Sequence, residues 1–159
     1  MTTATEHKTE HKPAEHKPAA HHAASHAHAA KGGRYTEAVG RRKTAIARVR
    51  IMAGTGKVTV NGKSLKDYFT LPRLVADAKS PIETLKLGDY DVHVSVKGGG
   101  IHAQAGAVRL GLSRAIVAAS PDWKPRLRTI GYLTRDPRMV ERKKYGLRKA
   151  RRRPQWAKR

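Results

Sequence analysis

Val92-His93-Val94-Ser95-Val96-Lys97-Gly98-Gly99-Gly100-Ile101-His102-Ala103-Gln104-Ala105-Gly106-Ala107-Val108 changes its period partway along, and that change decides the fold class. Val92, Val94 and Val96 alternate with His93 and Ser95, which is the period of a half-buried strand. The three glycines break the alternation. Beyond them the apolar positions return at helical spacing, as Ala105, Val108, Leu112, Ala115, Ile116 and Ala119, and the run stops near Ser120-Pro121. Arg114 falls off that stripe. A strand passed to a helix through a glycine turn predicts a chain that mixes both elements, of class α/β or α+β.

Upstream, the same two periods recur. Ala45, Ala47, Val49 and Ile51 alternate with polar residues between Thr44 and Ile51, predicting a second strand. A short strand at Lys57-Val58-Thr59-Val60 follows the Gly54-Thr55-Gly56 turn and runs into Asn61-Gly62, a tight-turn signal. Leu71, Leu74, Val75 and Ala78 mark one face of a helix. Ser80-Pro81-Ile82-Glu83 has the form of a capping box with proline at the first helical position, so a new helix is expected to open there. Together these predict one domain over residues 34–123, a small mixed sheet with packed helices.

The flanks are different in kind. The chain has 159 residues and carries 34 Lys and Arg against 12 Asp and Glu, a formal charge of +22. Residues 1–33 hold 4 basic and 3 acidic side chains, residues 34–123 hold 15 and 7, and residues 124–159 hold 15 and 2. More than half of the net charge therefore sits in the last quarter. Residues 1–33 repeat Glu-His-Lys at Glu6, Glu10 and Glu15 and then alternate Ala with His. They have no large apolar residue after Met1 and are read as disordered, because no buried surface offsets the entropy of ordering them. Seven of the nine histidines lie here, at 7, 11, 16, 21, 22, 26 and 28. They admit a weak metal-binding role or, more simply, a solvated tail. Residues 124–159 are read as an extended basic C-terminal tail, a like-charged block expected to order on a polyanion.

Composition excludes several functions. Without cysteine there is no disulfide, thiolate metal site or thiol nucleophile, which fits a reducing cytoplasm. No run of about 18 apolar residues spans a bilayer, and the N-terminus lacks the apolar core of a secretory signal. Gly54-Thr55-Gly56-Lys57 resembles the end of a phosphate-binding loop, but Ile51 and Val58 stand where that motif needs Gly and Ser or Thr. Gly98 and Gly100 lack the third glycine of a dinucleotide fingerprint, since Ala103 occupies it. They suit either a plain strand-to-helix turn or a phosphate held at the helix start. His93 and His102 are the only histidines outside the N-terminal segment, and no Ser/His/Asp arrangement can be assigned. No enzyme, cofactor or metal site is expected.

A net charge this large is self-repelling in isolation and is relieved by a dense polyanion. In the tail, Arg142, Lys143, Lys144, Arg148, Lys149, Arg151, Arg152 and Arg153 suit phosphates, while Tyr145 and Trp156 can stack on unpaired bases. Composition alone leaves open a histone-like architectural DNA-binding protein and, less well supported, a polybasic membrane-surface protein.

Longer motifs narrow this. Val39-Gly40-Arg41-Arg42-Lys43-Thr44-Ala45-Ile46-Ala47-Arg48-Val49, Val60-Asn61-Gly62, Asp67-Tyr68-Phe69 and Gly98-Gly99-Gly100 resemble motifs of the universal family of small-subunit ribosomal protein nine. So do Leu133-Thr134-Arg135-Asp136-Pro137-Arg138, Glu141-Arg142-Lys143-Lys144-Tyr145-Gly146 and the ending Pro154-Gln155-Trp156-Ala157-Lys158-Arg159. The match runs in one register from about Tyr35 to Arg159 and has a bacterial pattern.

The resemblance implies the α/β fold shared with part of ribosomal protein five, including a left-handed crossover. It implies a cytoplasmic, ribosome-bound protein in the head of the small subunit, contacting 16S rRNA, neighbouring head proteins and the P-site tRNA. Carried onto this chain, Arg159 and Lys158 would touch the tRNA. Arg41, Arg42 and Lys43, with Arg142, Lys143, Lys144, Tyr145, Arg148, Lys149, Arg151, Arg152 and Arg153, would touch rRNA. Arg48 and Arg50 read as weaker candidates, since alternate positions on a strand face can simply be solvated.

Overall fold

Strand β5 (Tyr90–Lys97) is last of the strands in sequence and central in the sheet, whose order is β1-β2-β5-β3-β4. β1 (Thr36–Arg42) pairs antiparallel with β2 (Ala45–Ala53), and β2 pairs antiparallel with β5. On its other side β5 runs parallel to β3 (Val58–Val60), which turns at Asn61-Gly62 into the short β4 (Lys63–Ser64). A parallel pair needs a crossover. Here it consists of α1 (Leu65–Tyr68) and α2 (Pro72–Leu85). α3 (Ile101–Ala119) follows β5, and a 3-10 turn at Pro121–Trp123 leads into α4 (Lys124–Thr129). The computed structural model describes residues 35–157, so the predicted N-terminal extension and the terminal pair Lys158 and Arg159 lie outside the described residues.

The expected alternation is present and one-sided. Ala45, Ala47, Val49, Ile51, Val60, Val92, Val94 and Val96 are buried beneath the helices, while their neighbours along each strand face outward. α3 lies across β1 and β2, and α2 packs beside it. The approach of α3 to β1 is backbone against backbone. A Cβ at Gly40 would stand 1.9 Å from the Ala107 carbonyl oxygen and 2.4 Å from the Gly111 nitrogen.

β1 has no counterpart among the expected strands, because its inward positions are Thr36, Ala38, Gly40 and Arg42. They must be small where the helix presses closest, so an apolar alternation never appears.

The helix expected to open at Ser80 is a correction. α2 opens at Pro72 instead and runs through Pro81 to Leu85. Pro81 has no N–H for the carbonyl of Asp77. The Ser80 hydroxyl donates to that carbonyl at 2.9 Å, which keeps it satisfied. Burial of Leu74, Ala78, Pro81, Ile82 and Leu85 on one face outweighs the local break. A Ser-x-x-acid cap does occur at α1. Ser64 Oγ accepts from the Asp67 amide at 3.2 Å, and the short helix delivers Phe69 into the core.

Core residues continue past Trp123. Leu127 is fully buried, and Tyr132 and Leu133 pack against the same core. Residues 134–157 contain no helix or strand.

Candidate nucleic-acid interface

Strand alternation splits the basic triplet at the end of β1. Arg41 pairs across to Ile46 on the outer face of the sheet, while Arg42 pairs to Ala45 on the inner side. Arg42 is consequently half-buried and bonded within the molecule. Its Nη1 donates to the His102 carbonyl at 3.1 Å and its Nη2 to Asp136 Oδ2 at 3.1 Å. Gly106 provides the space, since a Cβ there would stand 2.5 Å from Arg42 Cδ. Among the described residues, Arg42 Nε is the one buried side-chain nitrogen or oxygen without a partner. Lys43, in the β1–β2 turn, is exposed and held at φ 51°, a left-handed conformation unusual for lysine.

Asp136 joins this corner to the chain that leaves it. Arg138 Nε donates to Asp136 Oδ1 and Arg138 Nη2 to Oδ2, each at 3.0 Å, and the Arg138 amide donates to Oδ1 at 3.1 Å. Arg138 foremost, with Arg42 adding to it, holds the Asp136 carboxyl well below the usual carboxylate range. A single carboxylate between two guanidiniums thus fixes where the basic C-terminal run departs from the domain.

Within that run, Arg142, Lys143, Lys144, Arg148, Lys149, Arg152 and Arg153 are exposed. None of them takes part in a salt bridge among the described residues. Arg151 pairs with Glu141, its Nε donating to Oε2 at 2.9 Å, and this pairing lowers the Glu141 pKa. The Arg148 amide donates to the Arg152 carbonyl at 2.7 Å, closing a small loop. Tyr145 is 98% and Trp156 81% exposed, so two large aromatic side chains stand uncovered amid the cations.

The outer face of the sheet is uncovered as well. It carries Arg41, Ile46, Arg48, Arg50, Thr59, His93, Ser95 and Lys97. Glu37 bridges two of them, with Arg48 Nε at 2.8 Å and Arg50 Nε at 2.9 Å. The Tyr35 ring lies 4.8 Å from the Arg50 guanidinium carbon, a cation–π contact. Sequence reading ranked these arginines low. Their signal was the alternation itself, which places both on one face.

The two glycine turns resolve differently from one another. The amides of Thr55 and Lys57 each donate to Asp91 Oδ1 at 2.9 Å, so the loop that resembled a phosphate site grips the chain's own carboxylate. Those bonds, Lys57 first, lower the Asp91 pKa. Gly98 and Gly99 take positive φ, and Gln104 Nε2 donates to the Gly98 carbonyl at 3.2 Å, making a strand-to-helix turn. Among the described residues no group of three His, Asp or Glu could hold a metal ion. No described helix is long and apolar enough to cross a membrane.

The described geometry is thus a folded basic domain, an uncovered cationic sheet face and a basic run tied to the domain at Asp136. Residues 40–159 match the family model described as ribosomal protein S9/S16. The chain is also 52% identical over 135 residues to the small ribosomal subunit protein uS9 of Nostoc punctiforme, covering 84% of this chain and 98% of that relative.

Proposed function

The chain belongs to the ribosomal protein S9/S16 family, and from that premise we propose that it holds together rRNA of the small-subunit head and reaches the P-site tRNA with its C-terminus. As a member of that family it is a structural, rRNA-binding component of the small ribosomal subunit that serves translation, and it is not an enzyme. Family membership sets aside the DNA-packaging reading that composition left open.

The finer reading has three parts. The globular domain, expected over residues 34–123 and continued by the core residues as far as Leu133, sits on the 3′ major domain of 16S rRNA beside other head proteins, in the cytoplasmic ribosome. Arg41 and Lys43 at its first turn meet phosphates, and Arg42 supports that corner from inside. The run beyond Leu133, where burial in the core ends, threads between rRNA segments, with Arg142, Lys143, Lys144, Arg148, Lys149, Arg151, Arg152 and Arg153 on phosphates and Tyr145 stacked on a base. Arg159, supported by Lys158, touches the tRNA backbone.

The observation that carries this is the uncovered state of the basic run: its exposed cations and aromatics have few partners within the chain. Arginine suits a phosphate because its planar fork is always charged and can bond two oxygens. Such contacts position RNA rather than read its sequence.

Sedimentation of the tagged protein through sucrose across a salt series tests the first two parts. Eight phosphate contacts on free RNA would lose roughly 10⁴ in affinity between about 50 and 200 mM salt. Retention on small subunits through that range, with none on free large subunits, is the expected result. Early loss, or co-migration with DNA, overturns it. Arg159→Ala tests the third part. It should leave assembly intact and weaken P-site tRNA holding, and tRNA affinity equal to wild type would remove Arg159 from the proposal.

A further inference from the structure

We propose that the uncovered face of the sheet, centred on Arg48, Arg50, Thr59, His93 and Ser95, is a second rRNA-binding surface that receives backbone phosphates, independently of the C-terminal run. It rests on the rRNA-binding reading above and adds a site to it.

Charge and arrangement carry the inference. Arg41, Arg48, Arg50 and Lys97 face outward here against Glu37. The other nearby carboxylate, Asp91, is turned into the 54–57 loop. Glu37 stands directly across from Arg50 and diagonally from Arg48, and takes the Nε of each. It therefore holds two guanidiniums side by side. Their terminal nitrogens have no hydrogen bond among the described residues. A long cationic side chain loses rotamer freedom when it binds, and here part of that loss has already been met by folding. Tyr35 against the Arg50 guanidinium fixes it further.

Next to the arginines is a hollow of about 420 Å³, lined by Arg48, Arg50, Thr59, His93 and Ser95. Thr59 Oγ1 lies 2.8 Å from His93 Nδ1. The other ring nitrogen, Nε2, has no hydrogen bond among the described residues. The centre of the face offers hydroxyls, an imidazole and guanidiniums, with neither an aromatic platform for bases nor an apolar patch. Ile46, Val39 and the Tyr35 ring held on Arg50 are its partly exposed apolar groups, and they sit toward the β1 edge. Protein-docking surfaces bury an apolar centre. A polar, cationic centre fits the backbone of RNA.

Two measurements test it, both on the full chain. The chain has no cysteine, so Ser95→Cys provides one attachment point for a tethered iron chelate on the face, and Ala118→Cys, at an exposed position of α3, provides a comparison. In reconstituted small subunits, the Ser95→Cys chelate should cut 16S rRNA at one compact set of backbone positions, well above the Ala118→Cys chelate. Separately, Arg48→Gln with Arg50→Gln should weaken binding to small-subunit particles lacking this protein. The log–log salt slope should fall by about one to two units, matching two lost phosphates. Lys66→Gln with Arg73→Gln removes the same charge elsewhere and should change the slope less.

Failure of wild type to bind the particles would overturn the rRNA-binding reading as a whole. If wild type binds and a variant with Arg151, Arg152 and Arg153 changed to Gln binds weakly, that reading stands. Unchanged binding of the Arg48/Arg50 variant, or no excess cutting from residue 95, would then overturn the sheet-face site alone. Cross-linking of residue 95 to an acidic protein instead of rRNA overturns it too.

Discussion

Asp136 shows how far a single side chain can depart from its sequence context. It lies among arginines that read as a uniform RNA-binding block, yet it binds Arg42 and Arg138 at once and fastens the end of the domain to the β1–β2 corner. Its folded pKa is depressed, so whatever it contributes to stability is present above the ordinary carboxylate range. That contribution is lost only as pH falls through the lowered folded value. The clamp should therefore persist near pH 4, where unpaired carboxylates begin to protonate. Asp136→Asn should release it at neutral pH. Hydrogen exchange of the Arg138 amide, which donates to Asp136, should become several-fold faster in the variant while core amides are unchanged. Equal exchange in both would mean that the clamp does not order this segment. The different fates of Arg41 and Arg42 were legible only to a reader who already had β1, because alternation on that strand separates them. Lys43, strained at positive φ, makes a companion case. Lys43→Asn should raise stability by up to about 1 kcal/mol, since asparagine tolerates this conformation better, and should weaken binding to small-subunit particles. Urea unfolding and particle binding measured on the same sample check both halves.

At the scale of elements, the strands and helices with apolar faces were legible and those with other inner faces were not. β2, β3, β5 and α3 followed from hydrophobic period, and the Asn61-Gly62 turn from its residues. β1 was hidden because α3 seats its backbone on Gly40, and small or polar inner positions leave no period to detect. α2 was cut short by a proline whose missing donor is made good by Ser80, a compensation that depends on tertiary burial of Ile82 and Leu85. The β1–α3 contact makes a sharp prediction. Gly40→Ala should destabilise by about 1–3 kcal/mol or more, as an added methyl meets backbone that cannot move aside. Gly88→Ala, where an added Cβ meets nothing within 4 Å and φ is not positive, should be neutral or stabilising by about 0.4–1 kcal/mol through the unfolded chain. Urea midpoints of the two variants should fall on opposite sides of wild type or nearly so. A shared direction would show that the close approach is not what fixes Gly40.

For the whole molecule, core and charge are separated along the chain. Hydrophobic burial ends with Leu127, Tyr132 and Leu133, whereas residues 143–159 add nine basic side chains and no acidic one. Sequence alone revealed that gradient, but not that Asp136 would pin the junction, since contacts this distant in sequence leave no periodic trace. Two consequences follow from the separation. The core does not depend on the basic run, so a chain ending at Arg142 should keep its helical and strand content. It should unfold at a temperature equal to or above that of the full chain, because removing like charges reduces self-repulsion. RNA binding does depend on the run. If about half of the nine cations meet phosphates, the log–log salt slope for binding to small-subunit particles should become shallower by about three to four units, at roughly 0.7–0.9 per contact. Circular dichroism and particle binding on the same truncated protein separate the two effects. Loss of folded structure on truncation would make the run part of the core's stability, and normal incorporation with an unchanged slope would leave the sheet face and the β1–β2 corner to supply the phosphate contacts.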